Sequence, residues 1–246
     1  MVNRVLLCGL LALALCLTCA ARAADAPASG AVVDIDQTLT RCLADPEKQS
    51  TGGQDECIVD ATHAWDVSLN ATYQSLRDAL PETARPALLA AQRAWLASRD
   101  ADLKLIAGVY ATVQGTMYAP ANANDVMLLT QHRAQTLVRY RDEVSSAASE
   151  GSRPASVKAA GHAQTAEVDR WGRRMARRLP SASRGIVRTS NEKWRDFTSA
   201  EKGLIAAVCP SDANPNAQAC RNAQAARETA ARVQWLKGLD GMIGAN

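Results

Sequence analysis

The chain has 246 residues, of which 47% are hydrophobic and 22% charged, with a formal net charge of +3. This balance is ordinary for a globular protein and excludes a protein too polar to form a hydrophobic core. The length allows one large domain or two small ones. The charge is unevenly distributed: residues 24–145 carry 10 Lys/Arg against 16 Asp/Glu, and residues 146–246 carry 16 against 9. This asymmetry bears on partners and solubility rather than on fold.

Residues 1–23 are predicted to be a cleaved signal peptide. A short basic start precedes an apolar run from Val5 to Cys19, and Ala21-Arg22-Ala23 supplies the small residues that a signal peptidase recognises. The run has about 15 residues, short of the roughly 20 that cross a bilayer as a helix, which argues against a membrane anchor. Thr18 precedes Cys19 where a lipoprotein needs a small residue, so a lipoprotein is disfavoured. We expect a periplasmic or secreted protein.

Three amphipathic helices are predicted in the unit formed by residues 24–145. The first helix halts at Pro81 and has inward positions at steps of three or four: Ile58, Ala61, Trp65, Leu69, Thr72, Leu76 and Leu80. The second fades by Gly115 and Pro120, and its inward positions are Leu88, Trp95, Leu96, Leu103, Ile106 and Tyr110. The third opens near Asn124 as N-cap and carries Val126, Leu129, Arg133, Leu137, Tyr140 and Val144.

A second unit of the same plan is predicted in residues 157–246. The run from Ser145 to Ser156 is small, polar and contains Pro and Gly, which indicates a linker at residues 146–156. An ungapped shift of 99 residues places Leu80-Pro81 on Leu179-Pro180, Trp95 on Trp194 and Asp102 on Glu201. A last helix is expected after Asn214-Pro215. The sequence therefore predicts an all-α protein of two tandem three-helix units.

The cysteines outside the signal peptide are Cys42, Cys57, Cys209 and Cys220. In an exported, oxidising setting they suggest two disulfides. Of the three possible connectivities, the local pairs Cys42–Cys57 and Cys209–Cys220 are the cheapest to close. Neither pair has CxxC spacing and the three histidines are scattered, so we expect neither a metal site nor a cofactor.

The stretch AAQRAWLASRD places Gln92, Trp95 and Arg99 on one helix face. We interpret Trp95 as a core residue, with the Arg99 stem along its ring and the guanidinium paired to a carboxylate such as Asp66 or Asp100. The shifted copy keeps the Trp but has Thr and Asn in place of the Arg and Gln. Gln92 and Arg99 are therefore candidate partner-binding residues.

Two charged stretches are further candidates. The segment from Leu43 to Glu56 is predicted to be a loop because it contains Pro and two Gly, and its acids suit a cationic partner; the alternative is a solvated connector. These acids are Asp45, Glu47, Asp55 and Glu56. In the second unit, five Arg fall within nine residues, and Arg170, Arg174, Arg177 and Arg178 form much of one helix face. Anionic lipid headgroups or cell-wall polymers are its candidate partners, nucleic acid is not expected after export, and solvated charge is the alternative.

The segment from Cys42 to Tyr140 resembles the LprI-type lysozyme-inhibitor-like domain, a family of secreted bacterial modules. After Trp65 it carries the family's Leu-Asn-x-x-Tyr element as Leu69, Asn70 and Tyr73, and its Gln-x-x-Trp-x-x-x-Arg-Asp element ends at Asp100. The resemblance implies an all-α exported protein and, for some relatives, inhibition of lysozyme. One family disulfide is missing, because Leu103 stands where members usually carry a Cys, and the second unit looks like a diverged copy.

Two residues of the Leu-Asn-x-x-Tyr element invite a structural prediction. An Asn inside a helix competes with its own backbone, and we expect Asn70 to bond another helix across the bundle. We expect Tyr73 to pack its ring and to satisfy its hydroxyl rather than to touch a ligand.

No residue pattern indicates catalysis, since HExxH, GxSxG and a phosphate-binding Gly loop are all missing from the sequence. We predict an exported binding protein that inhibits a lysozyme-like cell-wall lytic enzyme by non-covalent occlusion. The alternatives are an envelope-associated structural or adaptor protein held on anionic surfaces by the Arg-rich helix, and an immunity protein against an exported toxin.

Overall fold

The computed structural model describes residues 30–149, 163–209 and 216–245, and these parts of the chain are helical. The helices are α1 (Gly30–Ala44), α2 (Thr51–Ala79), α3 (Arg85–Tyr110), α4 (Ala119–Ser149), α5 (Ala163–Arg178), α6 (Arg184–Val208) and α7 (Ala217–Met242). This confirms the predicted all-α class. None of the described helices has the length and apolar character needed to cross a membrane. The predicted signal peptide lies outside the described residues.

Each unit contributes its middle helix to a central pair. Helix α2 packs along α4 and α5 along α7, whereas α3 packs mainly against α6 of the other unit. A Cβ added at Gly108, late in α3, would lie 3.5 Å from Ile186, early in α6, and one at Gly203 would lie 3.8 Å from Ala87. The central pair is therefore antiparallel, and α4 and α7 each contact both of its helices. The two units share one bundle instead of forming two separate ones.

The core is continuous across both units, with Trp65 and Leu88 packed in the same cluster as Leu204 and Leu236. All the inward positions predicted for the first helix are buried in α2 or at its C-cap. Each fully buried large apolar side chain contributes about 1.5–3 kcal/mol. Leu96, predicted to face inward, is 37% exposed. Its neighbour Trp95 takes the inward position, and consecutive helix residues point about 100° apart.

The predicted loop from Leu43 to Glu56 is mostly helical. Helix α1 continues to Ala44, and α2 begins at Thr51 after Ser50, whose side chain accepts a hydrogen bond from the Gly53 N–H. This cap puts both glycines of the stretch inside the first turn of α2. A Cβ on Gly53 would lie 2.8 Å from the Lys48 Cα, so the sharp corner requires glycine there.

Two other helix boundaries differ from the prediction. Helix α4 begins at Ala119 rather than near Asn124, because Pro120 is tolerated in a first turn, where its missing N–H has no partner to lose. Gly115, at φ 101°, makes the preceding turn. Helix α4 also continues to Ser149, into the predicted linker. The rest of that linker and Asn214-Pro215 lie outside the described residues.

Both predicted local disulfides are present. Cys42–Cys57 joins the end of α1 to α2, and Cys209–Cys220 joins the C-cap of α6 to the first turn of α7. They bridge sequence separations of 15 and 11 residues. Closing loops of this size removes about 3 kcal/mol of chain entropy from the unfolded state in each case. The disulfides therefore hold the two helix corners next to the core.

Candidate functional site

A cleft of about 400 Å³ lies above the central α3–α6 pair, with α4 and α7 as its walls. We call it the interunit cleft. Its aromatic and aliphatic lining comprises Trp95, Trp194, Phe197, Trp235, Leu128 and Leu129. Its polar lining includes Arg99, His132 and Glu228, together with glutamines of α4 and α7. The cleft thus combines a large aromatic surface with charged groups from both units.

A buried ion pair crosses between the units beneath the cleft. Arg133 of α4 donates from Nη1 to Glu201 Oε1 of α6 at 2.7 Å and from Nε to Gln92 Oε1 at 3.1 Å. Both charged side chains are 1% exposed. Burial raises the pKa of the Glu201 carboxyl, and the Arg133 charge acts in the opposite direction. The pair therefore fixes α4 on α6 at a point that water does not reach.

The shift of 99 residues relates this pair to a second one. Arg232 of α7 donates to Asp102 Oδ2 of α3 at 2.8 Å, and also to Ser190 Oγ and Asn191 Oδ1 of α6. Ser190 Oγ in turn donates to Asp102 Oδ1 at 2.6 Å. Burial raises the pKa of the Asp102 carboxyl, against the Arg232 charge. Sequence reasoning matched Asp102 with Glu201 but did not notice that the same shift aligns Arg133 with Arg232.

A third polar contact joins the two walls of the cleft. Glu228 Oε1 of α7 lies 2.8 Å from His132 Nε2 of α4 and accepts a hydrogen bond from Thr136 Oγ1 at 3.1 Å. Burial would raise the pKa of the Glu228 carboxyl, but His132, Arg133 and the Thr136 hydroxyl together lower it to about 2. Ionised Glu228 thus holds α4 and α7 together.

We expect Glu228→Gln to flatten the acid dependence of stability. The pKa of Glu228 is lower in the folded state than its ordinary value near 4.5, so its stabilisation is present above about pH 4.5 and is lost as pH falls towards 2. The wild type should lose about 1–3 kcal/mol more than the variant between pH 6 and pH 2.5. Urea unfolding at both pH values measures this, with the exposed Glu192→Gln as control. Equal losses in wild type and Glu228→Gln would contradict the assignment.

The predicted Gln92–Trp95–Arg99 stripe divides between the core and the cleft. Trp95 is 7% exposed, and the Arg99 guanidinium lies 5.3 Å from its ring centroid. Arg99 also pairs with Asp100 at 3.0 Å, one of the two partners expected for it. Gln92 accepts a hydrogen bond from buried Arg133, which gives it a role inside the bundle. Arg99 lines the cleft together with Trp95 and, unlike that buried ring, is part-exposed.

The predicted cross-helix bond of Asn70 is wrong. Asn70 is exposed, and its amide donates to the Asp66 carbonyl at 2.9 Å and to the Asp66 carboxylate at 3.1 Å, one turn earlier in α2. A short polar side chain reaches its own i−4 neighbour more readily than another helix. Tyr73 packs its half-buried ring against the core. Trp65, Leu69 and Trp194 are buried, which fits a structural role for these motif residues.

The predicted acidic residues gather at the corner between α1 and α2. Glu56 pairs with Lys48, and this hydrogen bond, with the fields of Glu56, Asp45 and Asp60, raises the pKa of Lys48. We call the exposed acids Asp45, Glu47, Glu56 and Asp60 the acidic corner. Asp45 also accepts a hydrogen bond from the Glu47 N–H at 2.9 Å, and Asp55 is half-buried.

Exposed valines adjoin the acidic corner along α2. Val59 is 42% exposed and Val67 is 69% exposed, and Asp60 lies between them in sequence. Sequence reasoning missed Asp60 and both valines, although two valines about two helical turns apart and outside the buried stripe were a signal that could have found them. The outward side of α2 therefore presents negative charge beside apolar surface.

The Arg-rich segment forms the second half of α5 and is partly engaged in the fold. Arg174 and Arg178 pair with Asp240 of α7 at 2.7 and 2.8 Å, and Arg178 also donates to the Ile243 carbonyl. Arg170 pairs with Glu167 at 3.3 Å, and Arg177 is exposed. In the described parts of the chain, no three His, Cys, Asp or Glu side chains come together as a metal site.

Comparison with known proteins gives a family match for the first unit. Residues 42–137 match the family model described as lysozyme inhibitor LprI, a stretch that runs from Cys42 through α2 and α3 into α4. The crystal structure of an uncharacterized protein from Burkholderia thailandensis is similar, with 28% sequence identity and a TM-score of 0.64. The alignment covers 82% of this chain and 96% of that one. No curated protein matches the chain.

Proposed function

We propose, from the match of residues 42–137 to the LprI lysozyme-inhibitor family, that this protein inhibits a lysozyme-like cell-wall hydrolase by non-covalent occlusion. That match is the observation that carries the proposal, and it points to an inhibitor instead of an enzyme. Two disulfides, which persist in oxidising compartments, support an exported protein. The signal-like sequence of residues 1–23 supports the same location.

The acidic corner and the adjacent valines of α2 are the proposed contact surface. Complementary charge accelerates encounter with a basic partner, and apolar surface that becomes buried supplies affinity. Val59 and Val67 offer such surface beside Glu56 and Asp60. The Cys42–Cys57 disulfide reduces the freedom of the corner, so less entropy is lost when it binds.

The envelope-adaptor alternative has weaker support. It needs the Arg-rich face to be available, whereas Arg174 and Arg178 are paired with Asp240. An immunity protein against an exported toxin would need the same kind of tight interface as an inhibitor. The choice between these two depends on which hydrolase is bound.

The test is peptidoglycan hydrolysis by a panel of lysozymes, with and without oxidised protein spanning residues 24–246. We expect inhibition that saturates near equimolar protein and weakens from low to physiological salt, because rim charges are screened within about 8–10 Å. Pull-down of the inhibited lysozyme checks that the effect is direct. Unchanged hydrolysis by every panel member at both salt concentrations would refute the proposal.

A further inference from the structure

We propose that the interunit cleft binds a small molecule that joins a flat aromatic ring to a carboxylate. This site differs from the acidic corner and does not depend on lysozyme inhibition. The cleft volume of about 400 Å³ falls within the roughly 300–1,000 Å³ of small-molecule sites. Like such sites, it lies between structural units and has an aromatic lining with few polar groups.

The lining is a stack of flat groups. The Arg99 guanidinium lies 5.3 Å from the Trp95 ring centroid, and that of Arg232 lies 4.6 Å from the Trp235 centroid. Arg133 lies 5.3 Å from the Phe197 centroid. Planar guanidinium and aromatic groups stack on one another through dispersion and cation–π attraction. A flat aromatic ligand extends this stack, whereas a bulky aliphatic one does not.

The lining retains hydrogen-bond donors without acceptors, whereas its carboxylate Asp125 already accepts a hydrogen bond from the Tyr110 hydroxyl at 2.8 Å. Asp102 and Glu228 already accept hydrogen bonds from Arg232, Ser190 and Thr136, with His132 beside Glu228. Three N–H donors of lining side chains find no acceptor within the described chain: Arg133 Nη2, Arg232 Nε and Trp235 Nε1.

Such unpaired buried donors are destabilising, and ligand oxygens can relieve this cost. The three atoms are covered by their neighbours, so a ligand pairs with them only if these side chains rotate. Carboxylate oxygens accept strong, charge-assisted bonds from guanidinium groups. Arg99, part-exposed on the cleft lining, offers a further cation to the same group.

Gly238 of α7 leaves the cleft open on one side. It lines the cleft, and a Cβ added there would meet no atom within 4 Å. A Cβ at this position displaces no neighbour, so we expect a larger side chain there to project over the cleft without disturbing the fold. Gly241, in the same helix and equally unobstructed, does not line the cleft. The two glycines thus provide a blocking variant and a matched control.

The test measures binding of 2-naphthoate and of uncharged 2-naphthamide to the wild type, Gly238→Leu and Gly241→Leu. Calorimetry gives the affinity and stoichiometry, and tryptophan fluorescence reports on Trp95, Trp194 and Trp235. We expect one naphthoate per chain, bound about tenfold or more tightly than the amide because of the charge-assisted bonds. Gly238→Leu should weaken naphthoate binding at least about tenfold, and Gly241→Leu should not.

Three results would overturn the proposal. One is no saturable naphthoate binding to the wild type, and another is equal affinity for the acid and the amide. The third is equal naphthoate binding by Gly238→Leu and the wild type. Thermal unfolding of both leucine variants verifies the fold. Replacing Gly within a helix is favourable, so neither variant should have a lower Tm than the wild type. No lysozyme enters this experiment, so its outcome is separate from that of the inhibition assay.

Discussion

Arg133→Met is expected to lower the free energy of unfolding by about 3–5 kcal/mol. The substitution leaves Glu201, 1% exposed, as a carboxylate whose cation has been removed. A buried charge without its partner loses hydration that nothing in the protein replaces. The substitution also removes the hydrogen bond that Arg133 donates to Gln92 and the contact of its guanidinium with the Phe197 ring. The effect should appear in urea as a lower midpoint with an unchanged slope.

Two further variants separate the charge from the packing. Arg133→Met/Glu201→Leu should recover most of the lost stability, because replacing both members of a buried pair with apolar groups is often neutral. Arg99→Ala removes a surface pair with Asp100 and should cost no more than about 1 kcal/mol. If Arg133→Met costs as little as Arg99→Ala, the buried pair is not what joins α4 to α6.

Reversing two charges of the acidic corner, Glu56→Lys/Asp60→Lys, is expected to weaken lysozyme inhibition about tenfold to 100-fold at low salt. Both side chains are exposed and lie one helical turn apart on α2, so both face the same partner. The reversal replaces attraction to a basic enzyme with repulsion. Most of the loss should appear in the association rate and should shrink as salt increases.

Glu192→Lys/Asp196→Lys is the matched control. These acids are also exposed, one turn apart on a helix, and beside basic neighbours, but they lie on α6 in the second unit. This variant has the same net charge as the first and should inhibit like the wild type. If both double variants lose inhibition equally, the loss is caused by the change in net charge and not by the position of the substitutions. If neither does, the contact surface lies elsewhere.

Local features of the structure were predictable from residue order. The apolar steps from Ile58 to Leu80 determine the buried side of α2, and Pro81 follows its C-cap. Both disulfides join cysteines close in sequence, where loop closure costs least. The errors were also local. Capping by Ser50 competes with a turn at the predicted loop, and the i−4 hydrogen bond of Asn70 competes with a bond to another helix.

A shift of 99 residues that aligns the tryptophans and the acids predicts an internal repeat. What the repeat left undecided is how the two units pack. Two separate bundles and one shared bundle require the same apolar spacing in every helix, since periodicity identifies a buried face but not the helix that covers it.

Only the tertiary structure shows that α3 pairs with α6. This pairing also creates the candidate ligand site. Arg133 meets Glu201 across 68 residues and Arg232 meets Asp102 across 130. In sequence these four residues look like ordinary helix charges, because nothing local distinguishes a solvated charge from one buried against a distant partner. The interunit cleft exists only because the other unit covers these faces. Local periodicity therefore determined the helices. The cleft depends on the packing of the two units, in which buried charges pair with partners distant in sequence.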